Sequence, residues 1–336
     1  MHVIRKKTVA FGLAALAIGS GIWYFASTAD CIAWDTMHLP GIELNKHYLY
    51  VAMGECNSVL AIDTSTQLVA AYARFAGQFP HGLMYHRERK LVYVANEKSD
   101  DIVVLSLPDF VPIARVEVGD FPVDVTFMSD SILVTNYSGD SVSVINPATL
   151  KVVREIDSNA ATHFALSPDG EYAYLSNWSD DTVSLLDSDL EAVVTVINTG
   201  IRPNHLTFSL DGRFVYVTNY KGNSVTVIDH RARRSIAEIR VGKHPMTPIS
   251  TGDHLYVANI ESGTISVIDI ENHQVVTEIP TGGNPQHMTI TGNWLYVTNP
   301  DLELIQVIDL SQEQVVKEIF TGPSPQQISP RYSGIN

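Results

Sequence analysis

Three histidines and an aspartate recur in one register along the chain: Asp124, His163, His205 and His287. Asp124, His205 and His287 each stand two residues after a proline, and before His163 the proline is replaced by Ala161. The register continues through Gly82, Thr247 and Gln327, with His81 and His244 beside it. Neutral imidazole ligates zinc, copper and iron and serves as an axial haem ligand. His163, His205 and His287 are therefore candidate ligands for a metal ion or a non-covalent haem. A second register runs through Glu97, Tyr137, Trp178, Tyr220, Ile260 and Pro300. Aromatic side chains next to polar groups suit recognition of a ring or a peptide. Plainer roles compete with both: polar lining of a water-filled opening for the first, groove packing for the second.

These registers exist because the chain repeats. Residues 91–97 read LVYVANE, 132–137 ILVTNY, 172–178 YAYLSNW, 214–220 FVYVTNY, 255–260 LYVANI and 295–300 LYVTNP, with a degenerate LYVAMG at 49–54. The closing residues Asn96, Asn136, Asn177, Asn219, Asn259 and Asn299 are spaced by 40, 41, 42, 40 and 40. A period near 40 marks a repeat architecture. Within one unit, residues 205–209, 214–219, 224–229 and 235–241 read as short strands, separated by turns rich in Gly, Asn and Asp. No helical spacing of apolar residues interrupts them. Four strands per unit and seven units predict an all-β, seven-bladed β-propeller. The first unit lacks an innermost strand, and the tail Pro325-Gln326-Gln327-Ile328-Ser329 matches the innermost-strand pattern. The C-terminal strand is therefore expected to join the first blade and close the ring, removing its free edges.

In such a blade the innermost strand starts at the channel mouth and the second strand returns to it. Both registers should then share one rim, with Asp124, His163 and His205 in the same sector as Tyr137, Trp178 and Tyr220. Metal ligands must lie within about 2–2.3 Å of one ion, and a seven-bladed opening is expected to hold these side chains too far apart. A flat cofactor is less demanding. The repeated Asn residues are read as structural, satisfying turn backbone and tolerating unusual φ.

The unit resembles the YVTN family of β-propellers over residues 47–329, in its Y-V-[TA]-N strands, its V-x-V-I-D strands (for example residues 226–229 and 266–269) and its G-x-x-P joins. The resemblance implies the propeller fold and an exported protein. It embraces YncE-like proteins, haem-d-type propellers of nitrite respiration and proteins that help make that cofactor. WD40 is disfavoured, because the Trp34-Asp35 pair lies outside the repeats.

Around this body, residues 1–29 read as a signal sequence or membrane anchor. Arg5, Lys6 and Lys7 precede an apolar run from Val9 to Phe25, with Trp23, Tyr24 and Phe25 at its end. Residues 30–46 form a lead-in, with Trp34 and His38 as packing residues, and 47–330 form the propeller. The basic N-terminus places the rest outside the cytoplasm, in the periplasm or its equivalent, with the membrane reached through residues 1–29. In an oxidising compartment Cys31 and Cys56 could pair, closing a loop worth roughly 3 kcal/mol, or remain two thiols. No C-x-x-C-H occurs, which excludes covalent c-type haem. The net charge is −15, and without the three N-terminal cations 22 − 3 = 19 basic residues face 37 acidic ones. Nucleic-acid affinity rests on neutralised phosphates, so this body is a poor partner for DNA or RNA. The basic stretch at residues 230–234 reads as a solvated turn.

No G-x-S-x-G, H-E-x-x-H or phosphate-cradling glycine loop is present. The leading expectation is an exported, membrane-tethered binding or scaffold protein without catalysis. It would hold a small ligand or an exported protein through Asp124, His163, His205, Tyr137, Trp178 and Tyr220. The alternative is a redox or haem-d-maturation protein using His163, His205 and His287 on a metal or haem. A lactonase-like hydrolase is third, since it calls for a carboxylate-rich metal cage.

Overall fold

In the computed structural model, the described residues are Cys31, 39–74 and 77–329. The expectations for residues 1–29, and for Trp34 and His38, lie outside them. Seven four-stranded antiparallel sheets follow one another along the chain. Pro325–Ser329 pairs with Tyr48–Met53, completing a blade with Ser58–Asp63 and Leu68–Arg74. The ring is thus closed by hydrogen bonds between the two ends of the propeller.

Alternation along each second strand explains how the blades stack. Tyr216, Val225 and Val227 of the fifth blade pack on Leu255, Val257 and Ile268 of the sixth, and all are buried. The other neighbouring blades share similar apolar layers. Each such side chain contributes roughly 1.5–3 kcal/mol by leaving water. The repeated tyrosines, Tyr93, Tyr174, Tyr216 and Tyr296, are fully buried. Burial pushes the Tyr174 and Tyr216 hydroxyls up to about 12. A residue from the next blade covers the hydroxyl end of several of them: His230 Nδ1 lies 2.8 Å from the Tyr174 hydroxyl. His230 thereby belongs to a blade-to-blade latch, and Arg233 donates to the Tyr172 hydroxyl at 2.6 Å.

The Asn residues are structural, and Asn219 Oδ1 accepts the Gly200 backbone N–H at 3.2 Å, but the unusual φ expected of them is not theirs. Each is buried at the end of its second strand and ties that strand to the third. Asn219 Nδ2 donates to Ser224 and Thr226 Oγ atoms at 3.0 and 2.9 Å, and Asn136, Asn177 and Asn259 do the same in their blades. The left-handed backbone falls four residues later, at Asp100, Asp140, Asp181, Asn223, Gly263 and Glu303. A Cβ at Gly119, Gly200 or Gly242 would strike the Asn side chain of the same blade. The glycine of the join is required by that close approach, not by a turn.

Cys31 and Cys56 form a disulfide, with Cα atoms 5.3 Å apart. It ties the lead-in to the turn after Tyr48–Met53.

Candidate functional site

The first register is set by an irregularity repeated in the innermost strands. In the fifth blade Pro203 pairs with Asn219 and Leu206 with Val217, so Asn204 and His205 together face Thr218. The fourth blade has the same register shift at Thr162 and His163, and the third has one beside Asp124. A bulge of this kind bends the strand and re-aims a side chain. Here it turns the register toward the axis of the ring.

A hydroxyl on the second strand holds the bulge where the register carries a histidine or aspartate. Thr135, Ser176, Thr218 and Thr298 Oγ accept the backbone N–H of Asp124, His163, His205 and His287 at 3.0, 3.2, 3.2 and 3.1 Å. Three of these hydroxyls also donate to the next blade: Thr135 to the Thr162 carbonyl at 2.7 Å, Thr218 to the Met246 carbonyl at 2.6 Å, and Ser176 to the Asn204 carbonyl. Beside Gly82, Thr247 and Gln327 the corresponding residue is Ala95, Ala258 or Ala52. This pairing of register type with Thr/Ser or Ala is written in the sequence, and it is the signal that would have identified the register as built-in structure.

The register is not an open rim. Asp124, His163, His205 and His287 are 0–2% exposed. Nor are the rings far apart, as a wide opening would require. His163 and His205 stack with centroids 3.4 Å apart, and His287 lies edge-on at 5.0 Å from His205. His81, which sequence reading left beside the register, joins them at 5.3 Å from His287. It replaces Gly82, where a Cβ would collide with the Val123 carbonyl. The Asp124 carboxylate accepts from Val125 N–H at 3.0 Å, Phe164 N–H at 3.2 Å and Gln327 Nε2 at 3.3 Å. Gln327 Oε1 in turn accepts from Leu83 N–H at 2.5 Å. Asp124 and Gln327 thus cross-link the first four blades at the axis.

Among the described residues no three His, Cys, Asp or Glu side chains are placed to hold one metal ion. His163 and His205 instead pack face to face, their planes 27° apart. A haem between these rings would have to part that stack, so the folded channel does not fit one.

The second register lies above, half-buried on the channel face. Its backbone is pinned to the joins: Tyr137, Trp178 and Tyr220 N–H donate to the carbonyls of Phe121, Ala160 and Arg202 at 2.9, 3.3 and 2.8 Å. Those join residues are left-handed, at φ 56, 50 and 55°, which lifts their side chains onto the same face. The result is an arc over blades three to six. Tyr137 meets Phe121 at 5.9 Å, Trp178 meets Tyr220 at 5.2 Å, and Tyr220 stacks on His244 at 4.4 Å. The Arg202 guanidinium sits 5.3 Å over Trp178, and the Lys221 ammonium 5.3 Å from the Tyr220 ring. His244 is paired with Glu261 at 3.2 Å. The ring partners of Tyr220 are thus Trp178 and His244. A cleft of about 310 Å3 opens between Tyr137, Trp178, Ser179, Asp181, Ile201 and Arg202.

Glu97 joins the two layers. Its Oε1 lies 3.8 Å from His81 Nε2, while His81 Nδ1 donates to the Val123 carbonyl at 3.1 Å. Burial holds the Glu97 carboxyl above the ordinary carboxylate range, against the pull of His81 and Lys98.

Comparison with known proteins gives the fold and one partial family match. The family model for the cytochrome D1 heme domain matches residues 179–287, less than half of the chain. No curated protein sequence matches. Among solved structures, the dihydro-heme d1 dehydrogenase NirN in complex with DHE superposes with a TM-score of 0.67 at 18% identity, over 86% of this chain and 67% of that one. A putative 6-phosphogluconolactonase from Bacteroides fragilis gives 0.72 at 18% identity, over 86% and 99%. The Pseudomonas aeruginosa periplasmic gluconolactonase PpgL gives 0.71 at 20%, over 84% and 98%. At these identities the likeness is one of fold.

Proposed function

We propose that the protein is an exported binding propeller, without catalysis of its own, that holds a small ligand on the arc formed by Tyr137, Trp178 and Tyr220. The observation that carries this is the cleft between Tyr137 and Trp178, walled by half-buried rings with cations over two of the arc's aromatics. Concave, largely preformed sites with an aromatic wall and few polar groups are the common form of ligand pockets. Export is supported by the N-terminal pattern, by the Cys31–Cys56 disulfide and by the likeness of the repeats to YVTN propellers.

Ligand recovered with the protein from its native envelope provides the test. Trp178→Ala with Tyr220→Ala should lower its capture tenfold or more while shifting the melting temperature by only a few degrees. Unfolding of the double variant, or undiminished capture, would overturn the reading.

The partial match over residues 179–287, which spans Arg202, Tyr220 and His244, favours a second reading in which the ligand is a tetrapyrrole. It is confined to the outer arc, because the channel rings leave no gap for a macrocycle. A visible absorption spectrum of the native protein decides it: a Soret band lost in Trp178→Ala supports it, and a colourless protein refutes it. A lactonase reading draws on fold likeness alone.

A further inference from the structure

Within the cleft, two opposite charges stand without pairing. Asp181 and Arg202 both line it, yet among the described residues no ion pair forms between them and the Arg202 guanidinium has no hydrogen-bond acceptor. Asp181 uses Oδ1 to accept the Arg202 backbone N–H at 2.7 Å, leaving Oδ2 for another donor. The guanidinium lies along Trp178 at 5.3 Å, so its N–H edge stays available for a planar acceptor. Tyr137, Trp178 and the exposed Ile201 supply the apolar remainder.

An anion alone would meet Arg202 but also Asp181. A cation alone would compete with a guanidinium already on the Trp178 face. A dipolar molecule satisfies both charges at once. We infer that the cleft binds an amino-acid zwitterion with a flat apolar side chain, its carboxylate on Arg202, its ammonium on Asp181 and its side chain between Tyr137 and Trp178. At about 310 Å3 the space suits a molecule with a single ring. This rests on the arc being the ligand face.

The repeats provide variants that keep the fold. Ala160 occupies the join position of the fourth blade with φ 50°, so Arg202→Ala fits the same backbone. Asn223 performs the capping of Asp181 in the next blade, its Oδ1 accepting the His244 N–H at 2.9 Å, so Asp181→Asn keeps that bond. The experiment is titration of the protein with L-phenylalanine, phenethylamine and 3-phenylpropionate, followed by Trp fluorescence and calorimetry. L-phenylalanine should bind, and each singly charged analogue should bind at least tenfold more weakly. Arg202→Ala should erase the preference over phenethylamine, and Asp181→Asn the preference over 3-phenylpropionate. Equal binding of all three, or no binding of any, overturns the inference. If native ligand is still captured and lost in the Trp178→Ala/Tyr220→Ala pair, only the zwitterion assignment fails and the ligand face stands.

Discussion

The buried row around His205 and the outer arc around Tyr220 are built from two positions of the same repeat, and they behave as opposites. The row holds the residue types that chemistry favours, three His and an Asp, yet they are enclosed and spent on packing and hydrogen bonds. The arc holds aromatics that often serve only as packing, yet they are half-buried, stacked beside cations and open onto a cleft. A bulge makes the difference: it rotates one register to the axis, while the strand ends release the other outward. Reactive residue types do not mark a site unless the backbone leaves them an accessible side.

The strongest way to break this contrast is to remove Asp124. If it is a cross-link between blades, Asp124→Ala leaves the buried Phe164 N–H and Gln327 amide without their acceptor. It should then destabilise the fold by about 3–5 kcal/mol. Denaturant melts should show this loss, with ligand capture by the surviving folded fraction unchanged. A variant of normal stability that captured no ligand would move the site into the row. Thr218→Val probes the same layer more gently, removing the hydroxyl between His205 N–H and the Met246 carbonyl. A loss of about 1–2 kcal/mol is expected. Ala258 already lacks this hydroxyl in the sixth blade, so a neutral result would show that the blades are held without it.

Much of this contrast was legible beforehand. The Asn spacing gives the blade count, and the tail Pro325–Ser329 closes the ring where its pattern predicts, because alternation and turn chemistry are local. That His163, His205 and His287 face one channel followed from register, but their ring-to-ring contact ran against the expected spacing. Their depth did not follow from register either, because a bulge is a pairing between strands and leaves no local mark except the matching Thr or Ser. His81 was missed as a member because the register pointed to Gly82, and only the crowding against Val123 shows why the neighbouring residue takes over. The cleft residues Asp181 and Arg202 were missed because they lie in a turn and a join that sequence reading treats as connections.

Glu97 tests whether the two layers are energetically separate. It belongs to the outer register by sequence and touches the inner one through His81. Burial raises its carboxyl above the ordinary 4.5, with His81 and Lys98 only partly opposing this. A raised acid binds more protons folded than unfolded. Stability is therefore unaffected below the ordinary value, falls as pH rises through the raised one, and stays lower beyond it. Glu97→Gln keeps the size and removes that cost. It should melt slightly above the wild type at pH 7 and coincide with it at pH 4. Thermal melts across that range decide the matter. A variant less stable than the wild type at pH 7 would mean that attraction between Glu97 and His81 outweighs burial. The row and the arc would then act as one electrostatic unit.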